Sequence, residues 1–161
     1  MKTRAELLDK WAIAVSKMHI GHHLAAAAFT TWHLVLGVSA TVLAAVVTAT
    51  MFATLTKLAE NRYPTLFFGV ALASMLSPAL TAAVTFLKLD ERALRHTRAA
   101  ASFAGLRRQI EEALVRFAEE NKPPKNLSEI QSRWSEVIKE SPPLPGRMYR
   151  RAVNQLWSER A

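Results

Sequence analysis

The sequence predicts an all-α membrane protein: a two-helix transmembrane hairpin, an N-terminal helix before it and a cytoplasmic helical extension after it. Three observations carry this reading. Residues 34–56 and 64–87 form runs of 23 and 24 residues without a charged side chain. At about 1.5 Å rise per residue each run reaches roughly 35 Å, enough for a hydrocarbon core of about 30 Å. The charges are segregated outside these runs, although the overall composition, 50% apolar and 21% charged, is near that of an ordinary soluble domain. Elsewhere the apolar residues recur every three or four positions, the helical period, and no strand alternation or internal repeat is evident.

Residues 1–33 read as a cytoplasmic or interfacial helix that starts polar ("AELLDKWAIAVSKM") and turns small and apolar ("HLAAAAF"). Trp11 and Trp32 suit a membrane boundary, where an amphipathic indole is favoured. The first span, 34–56, carries Gly37, Ala40, Thr41, Ala44, Ala45, Thr48 and Ala49. Such small residues let helix backbones approach closely in lipid. The loop is 57–63, with Tyr63-Pro64 as the turn and Pro64 at a first-turn position, where a missing N–H is tolerated. The second span, 64–87, contains Pro78. Neither run reads as a cleavable signal peptide, since the first begins only at residue 34 and both exceed a usual h-region.

Beyond the second span, residues 88–161 read as cytoplasmic helices. Phe103, Leu106, Ile110, Leu114 and Phe117 continue the spacing along one long helix, 88–121, and form an apolar seam suited to association between copies. "KPPKN" breaks it. Ser128 and Gln131 have the spacing of a capping box for a short helix at about 128–140, whose apolar face is Ile130, Trp134, Val137 and Ile138. "SPPLPG" ends that helix, and a basic one follows at about 147–159.

Orientation follows from cations near the spans. Lys88, Arg92, Arg95, Arg98 and Arg107 lie in the twenty residues after the second span, against Lys57 and Arg62 in the loop. Five against two favours both termini on the cytoplasmic side of the membrane. The lack of cysteine excludes disulfides and thiolate metal sites and suits a cytoplasmic bulk.

One feature of the second span goes beyond anchoring. Ser74, Ser77, Thr81 and Thr85, then Lys88, Arg92 and Arg95, fall at steps of three or four and would draw one stripe on a single helix. Two readings stand. The hydroxyls bond back to carbonyls a turn earlier or to the first span, with Pro78 freeing a carbonyl nearby. Alternatively they line a water-filled oligomeric pore whose inner vestibule is cationic, which favours anions. The cations alone would also suit lipid phosphates.

Other chemistry finds little support. His19, His22 and His23 in "MHIGHH" lack the carboxylate or thiolate that would complete a zinc set, so no metal or cofactor is expected. His33 and His96 lie at the membrane boundaries, where a pH response is conceivable. There is no phosphate loop, no G-x-S-x-G, no H-E-x-x-H and no carboxylate pair in an apolar setting, so the chain does not read as an enzyme. Arg147, Arg150 and Arg151 with Tyr149 and Trp157 make a basic, aromatic tail, which fits a membrane or partner surface better than direct nucleic-acid binding.

Three stretches resemble the SLATT domains, two-span membrane proteins of bacterial conflict systems: "AVSKMHIGHHLAAAAFTTWHLVLGV", "ERALRHTRAAASFAGLRRQIEEAL" and "LSEIQSRWSEVIKESPPLPGRMY". His96, Leu106, Arg108, Ile110 and Glu111 correspond to the family's H…L-x-R-x-I-E pattern, and Pro142 or Pro143 with Pro145 to its closing proline turn. Phe103 stands where a tyrosine is common. The resemblance implies an effector of antiviral defence or a toxin-like system that forms homo-oligomeric pores and depolarises the cell when a companion sensor fires. The implied companions are a cyclic-oligonucleotide synthase, a nucleotide sensor or a defence-associated reverse transcriptase encoded nearby. With helices about 10 Å across, four copies leave a hole of roughly 4 Å and six roughly 10 Å, so any pore needs four or more copies. The competing expectations are a non-conducting membrane anchor that recruits a cytoplasmic partner and a holin-like protein making large holes.

Overall fold

The protein is all-helical among the residues that its structure, a computed structural model, describes: 4–55, 64–120 and 127–158. The elements are α1 (Arg4–Leu55), α2 (Pro64–Leu87), α3 (Leu89–Glu120), α4 (Leu127–Glu140) and α5 (Gly146–Ser158). The expected loop 57–63, Asn121 and the "KPPKN" break at 122–126 lie outside the described residues, as do residues 159–161. Two stretches, Ala5–Met51 and Phe68–Glu119, are long and apolar enough to cross a membrane.

Helix boundaries differ from the sequence reading in three places. The N-terminal helix and the first apolar run are one uninterrupted α1, because nothing between residues 28 and 36 breaks a helix: there is no Pro, and "TTWH" leaves every backbone donor in place. Second, the helix that leaves the second apolar run is not continuous. α2 stops at Leu87 and α3 restarts at Leu89, with Lys88 at φ 46° between them. Lys88 thus takes the left-handed conformation usually given to Gly after a helix C-terminus, at roughly 1–2 kcal/mol for a residue with a Cβ. Third, α4 already includes Leu127, so Ser128 lies within the first turn and the expected capping box with Gln131 does not form across the helix start.

The chain divides into two units, Met1–Ala28 with Glu91–Ala161, and Phe29–Asp90. The first has a genuine core. Leu8, Val15, Phe103, Leu106, Ile110, Ala113, Ile130 and Val137 are buried together, and Trp11, Met18, Leu114 and Trp134 pack against them. Leu8, Val15 and His22 recur every seven residues on α1, as do His96, Phe103 and Ile110 on α3. His22 meets His96 while His19 reaches Ala100, so the partner's number falls as α1 advances and the two segments run antiparallel. This register places Val15 opposite Phe103 and Leu8 opposite Ile110, and all four are fully buried.

Two expectations are corrected by this core. The apolar seam of α3 is already occupied: Phe103, Leu106 and Ile110 are sealed by the chain's own α1 and α4, so they offer no surface for another copy. Leu114 packs against the same core and Phe117 is half-buried. Trp11 is no boundary anchor either. Its ring packs edge-on against Trp134, with centroids 5.6 Å apart, an arrangement that adds aromatic contact to the core. Trp32, by contrast, is exposed.

The second unit is built the opposite way. Its large apolar side chains point outward: Phe68 and Phe86 are 80% and 86% exposed, and Val35, Val38, Val42, Val46, Leu72, Met75 and Leu76 are exposed too. Small Ala40 is buried instead. Its carbonyl accepts a hydrogen bond of 3.1 Å from the Ser77 hydroxyl of α2. A methyl-sized side chain there is what lets the two backbones come close enough for that bond.

Candidate functional site

The hydroxyl stripe of α2 separates into two kinds of residue. Ser77 is directed inward and donates across to α1, as described. Ser74 donates to the Ala71 carbonyl at 2.7 Å, Thr81 to Ser77 at 3.0 Å and Thr85 to Thr81 at 3.0 Å. These are turn-back bonds that meet the hydroxyl proton within the helix and leave oxygen lone pairs available. Thr81 and Thr85 are exposed on the flank of the helix, whereas Ser74 and Ser77 are half-buried. α1 uses the same device at Thr41, Thr48 and Thr50, which donate to Gly37, Ala44 and Val46. α2 stays helical through Pro78.

The cations do not prolong this stripe as one helical face, because the left-handed Lys88 ends the register of α2. Lys88 belongs to the second unit, and Arg92 and Arg95 to the first. Arg92 is exposed; Arg95 donates to the Glu91 carboxylate at 2.5 Å, an exposed i, i+4 pair that offsets its charge locally.

Of the motif residues, His96, Leu106 and Ile110 are buried in the first unit, and His96 meets His22 there. The Nδ1 atoms of His22 and His96 are 2.9 Å apart and buried. A hydrogen bond between the two Nδ1 atoms requires one Nδ1–H and one bare Nδ1, and two neutral rings meet this by holding opposite tautomers. His22 also stacks on Phe103, centroids 5.4 Å apart and planes 18° apart. The apolar partner at Phe103 fits this stacking, and a tyrosine hydroxyl has no part in it. Nε2 of His22 has no hydrogen-bond partner, which favours His22 as the Nδ1–H donor, since a bare ring nitrogen is less demanding than a buried orphan N–H. Burial, and then the neighbouring His96, lower the His22 pKa to about 4; burial lowers that of His96 as well.

His19 reinforces the contact by placing Nδ1 3.0 Å from the Ala100 carbonyl, to which it donates as the Nδ1–H tautomer. One position before His22, a Cβ on Gly21 would lie 2.5 Å from Leu144 Cδ2. Leu144 belongs to the Pro-rich segment 141–145, so that segment is seated on α1 where the absence of a Cβ leaves room for the leucine side chain. Pro142 is half-buried, and the Pro145 carbonyl accepts from Met148 and Tyr149, starting α5. Leu106 and Ile110 are core; Glu111 pairs with Arg107 at 2.6 Å and Arg108 is exposed. The unexpected members are Gly21 and Leu144. Their partners lie more than a hundred residues apart in the chain, and local spacing carries no sign of that. Among the described residues no group of three His, Cys, Asp or Glu is placed to hold a metal.

No family model, curated protein or solved structure matches this chain.

Proposed function

We propose that this chain is the membrane effector of a bacterial antiviral or toxin-like system, acting as a homo-oligomeric ion-conducting pore that a partner sensor switches on. In this reading residues 34–56 and 64–87 cross the cell membrane as a hairpin with both termini in the cytoplasm. The observation that carries it is the side-chain distribution of the second unit. Its bulky apolar residues face outward, as lipid contact requires, and a hydroxyl pair, Thr81 and Thr85, lies exposed among them. Two helices enclose no water, so that pair reaches an aqueous lumen only when several copies share it. The resemblance to SLATT domains and the cation excess after residue 87 support the same reading. Ser77, bonded to Ala40, is the weakest member of the lining.

Reconstituted protein, with its activating partner present, tests this directly. Thr81→Leu reduces ion flux without reducing membrane insertion, and Lys88→Glu shifts ion preference from anions toward cations. Unchanged conductance in both variants removes the stripe from any pore. A second reading, a non-conducting anchor that recruits a cytoplasmic partner, is favoured by one specific observation: the α3 seam is sealed within the chain and is not open to another copy. Liposomes that stay tight to ions with the partner present identify the anchor.

A further inference from the structure

α5 is the one helix of the first unit whose described residues carry charge of a single sign: Arg147, Arg150 and Arg151, with no acidic residue between Gly146 and Ser158. α3 and α4 mix both signs along their exposed faces. The helix is fixed in rotation, because Ala152 and Leu156 are buried on its other side. At about 100° per residue the three arginines span roughly 100° of arc, with Asn154 between them. All are exposed, and Trp157, 56% exposed, borders the same face. A fourth cation joins from α1: Lys17 Nζ lies 5.9 Å from the centre of the Trp157 ring.

We propose that this arginine face docks on the phosphates of an anionic lipid leaflet, with Trp157 at headgroup level. The proposal rests on the membrane reading above. Guanidinium forks match phosphate oxygens in pairs, and an exposed indole beside them is the side chain that membrane interfaces favour. Nucleic acid would need the same charge, but base recognition uses several aromatics in a row. Here Trp157 is a single indole at the border of the arginine face, with Lys17 Nζ 5.9 Å from its ring centre. Membrane spans in the same chain also hold the first unit close to headgroups, which raises their effective concentration far above that of any soluble polyanion. Each cation near an anionic surface is worth roughly a five-fold gain in occupancy.

The chain has no cysteine, so Asn154→Cys gives a single labelling site in the middle of the face. Full-length protein bearing a nitroxide at that position is reconstituted in vesicles of zwitterionic lipid alone or with an added anionic phosphatidylglycerol fraction. Ser135→Cys on the exposed side of α4 serves as the reference. The expected result is a several-fold loss of collision with a water-soluble relaxation agent at residue 154 in anionic vesicles only. High salt and the variant Arg147→Gln/Arg150→Gln/Arg151→Gln abolish it, whereas substitution of all three by Lys retains most of it. A label equally exposed in both lipids overturns the proposal, as does one shielded in both, which marks a protein contact. Shielding in zwitterionic vesicles on addition of single-stranded oligonucleotide overturns it in favour of nucleic acid. Failure of the chain to float with either vesicle overturns the membrane reading itself, whereas flotation with an exposed label overturns only the docking of α5.

Discussion

His22 and His96 face each other through their Nδ1 atoms at 2.9 Å, His22 following Leu8 and Val15 on α1 and His96 preceding Phe103 and Ile110 on α3, all at seven-residue steps. Burial makes the pair a liability in acid and a specific contact at neutral pH. The first prediction follows from its titration. Both native pKa values are depressed by burial, that of His22 to about 4 from the ordinary imidazole value of about 6.5. Between those values the unfolded chain binds a proton that the native chain does not. Stability therefore is complete above pH 6.5 and declines as pH falls, by about 3 kcal/mol for His22 alone near pH 4. Thermal unfolding followed by near-ultraviolet circular dichroism of the tryptophans, from pH 7.5 to 4.5, measures this. His22→Leu/His96→Leu removes the slope, while His22→Leu alone leaves His96 without its ring partner and lowers stability at pH 7.5 by about 1–3 kcal/mol.

The Gly21–Leu144 contact predicts coupling. Gly21→Ala places a methyl carbon where Leu144 Cδ2 now lies. Leu144 is the flexible end of a side chain and can yield, so overpacking costs about 1–3 kcal/mol, partly offset by the better helix propensity of Ala, about 1 kcal/mol. Leu144→Ala removes the clash. The double variant is then more stable than the sum of the single effects allows, a non-additivity that a denaturation cycle reads.

Lys88→Gly tests the left-handed break between α2 and α3. With φ at 46° and no Cβ to crowd the carbonyl, glycine raises stability by roughly 1 kcal/mol. Lys88→Val lowers it, because a β-branched side chain tolerates that region worst. Melting temperatures in one detergent rank the three.

Ser77→Ala removes the hydroxyl bridge from α2 to the Ala40 carbonyl of α1. In lipid such a bond is worth about 0.6 kcal/mol on average, with a maximum near 1.7. Thr85→Val, whose hydroxyl only bonds back within its own helix, changes stability less. Steric-trap unfolding in bicelles resolves the difference, and equal effects would disprove the bridge.

Helix content and the two apolar runs were legible because they depend on length and period, which a single sequence displays. Phe103, Leu106 and Ile110 were equally legible as a covered face. What covers them was not, since periodicity says that a stripe is buried but not against which element, and the answer, Leu8 and Val15, lies about ninety residues upstream. Trp11 misled for a related reason: an indole suits both a bilayer edge and a core, and its neighbours three and four residues away, Leu8 and Val15, were the better guide. Lys88 gave no local warning, as "FLKLDE" holds no Gly, Pro or Asn. The hydroxyls of α2 were visible as a stripe, yet the inward turn of Ser77 depends on the small size of Ala40, thirty-seven residues away.

A ladder of identical greasy steps can slip by a heptad and lose little. The imidazole step forbids that here. Displaced by seven residues, each histidine would confront Val15, Phe103 or another hydrocarbon and forfeit its mate, at about 1–3 kcal/mol for every stranded ring nitrogen. The two strands of the ladder are thereby keyed to a single alignment, and sliding between alternative settings is closed to them at neutral pH.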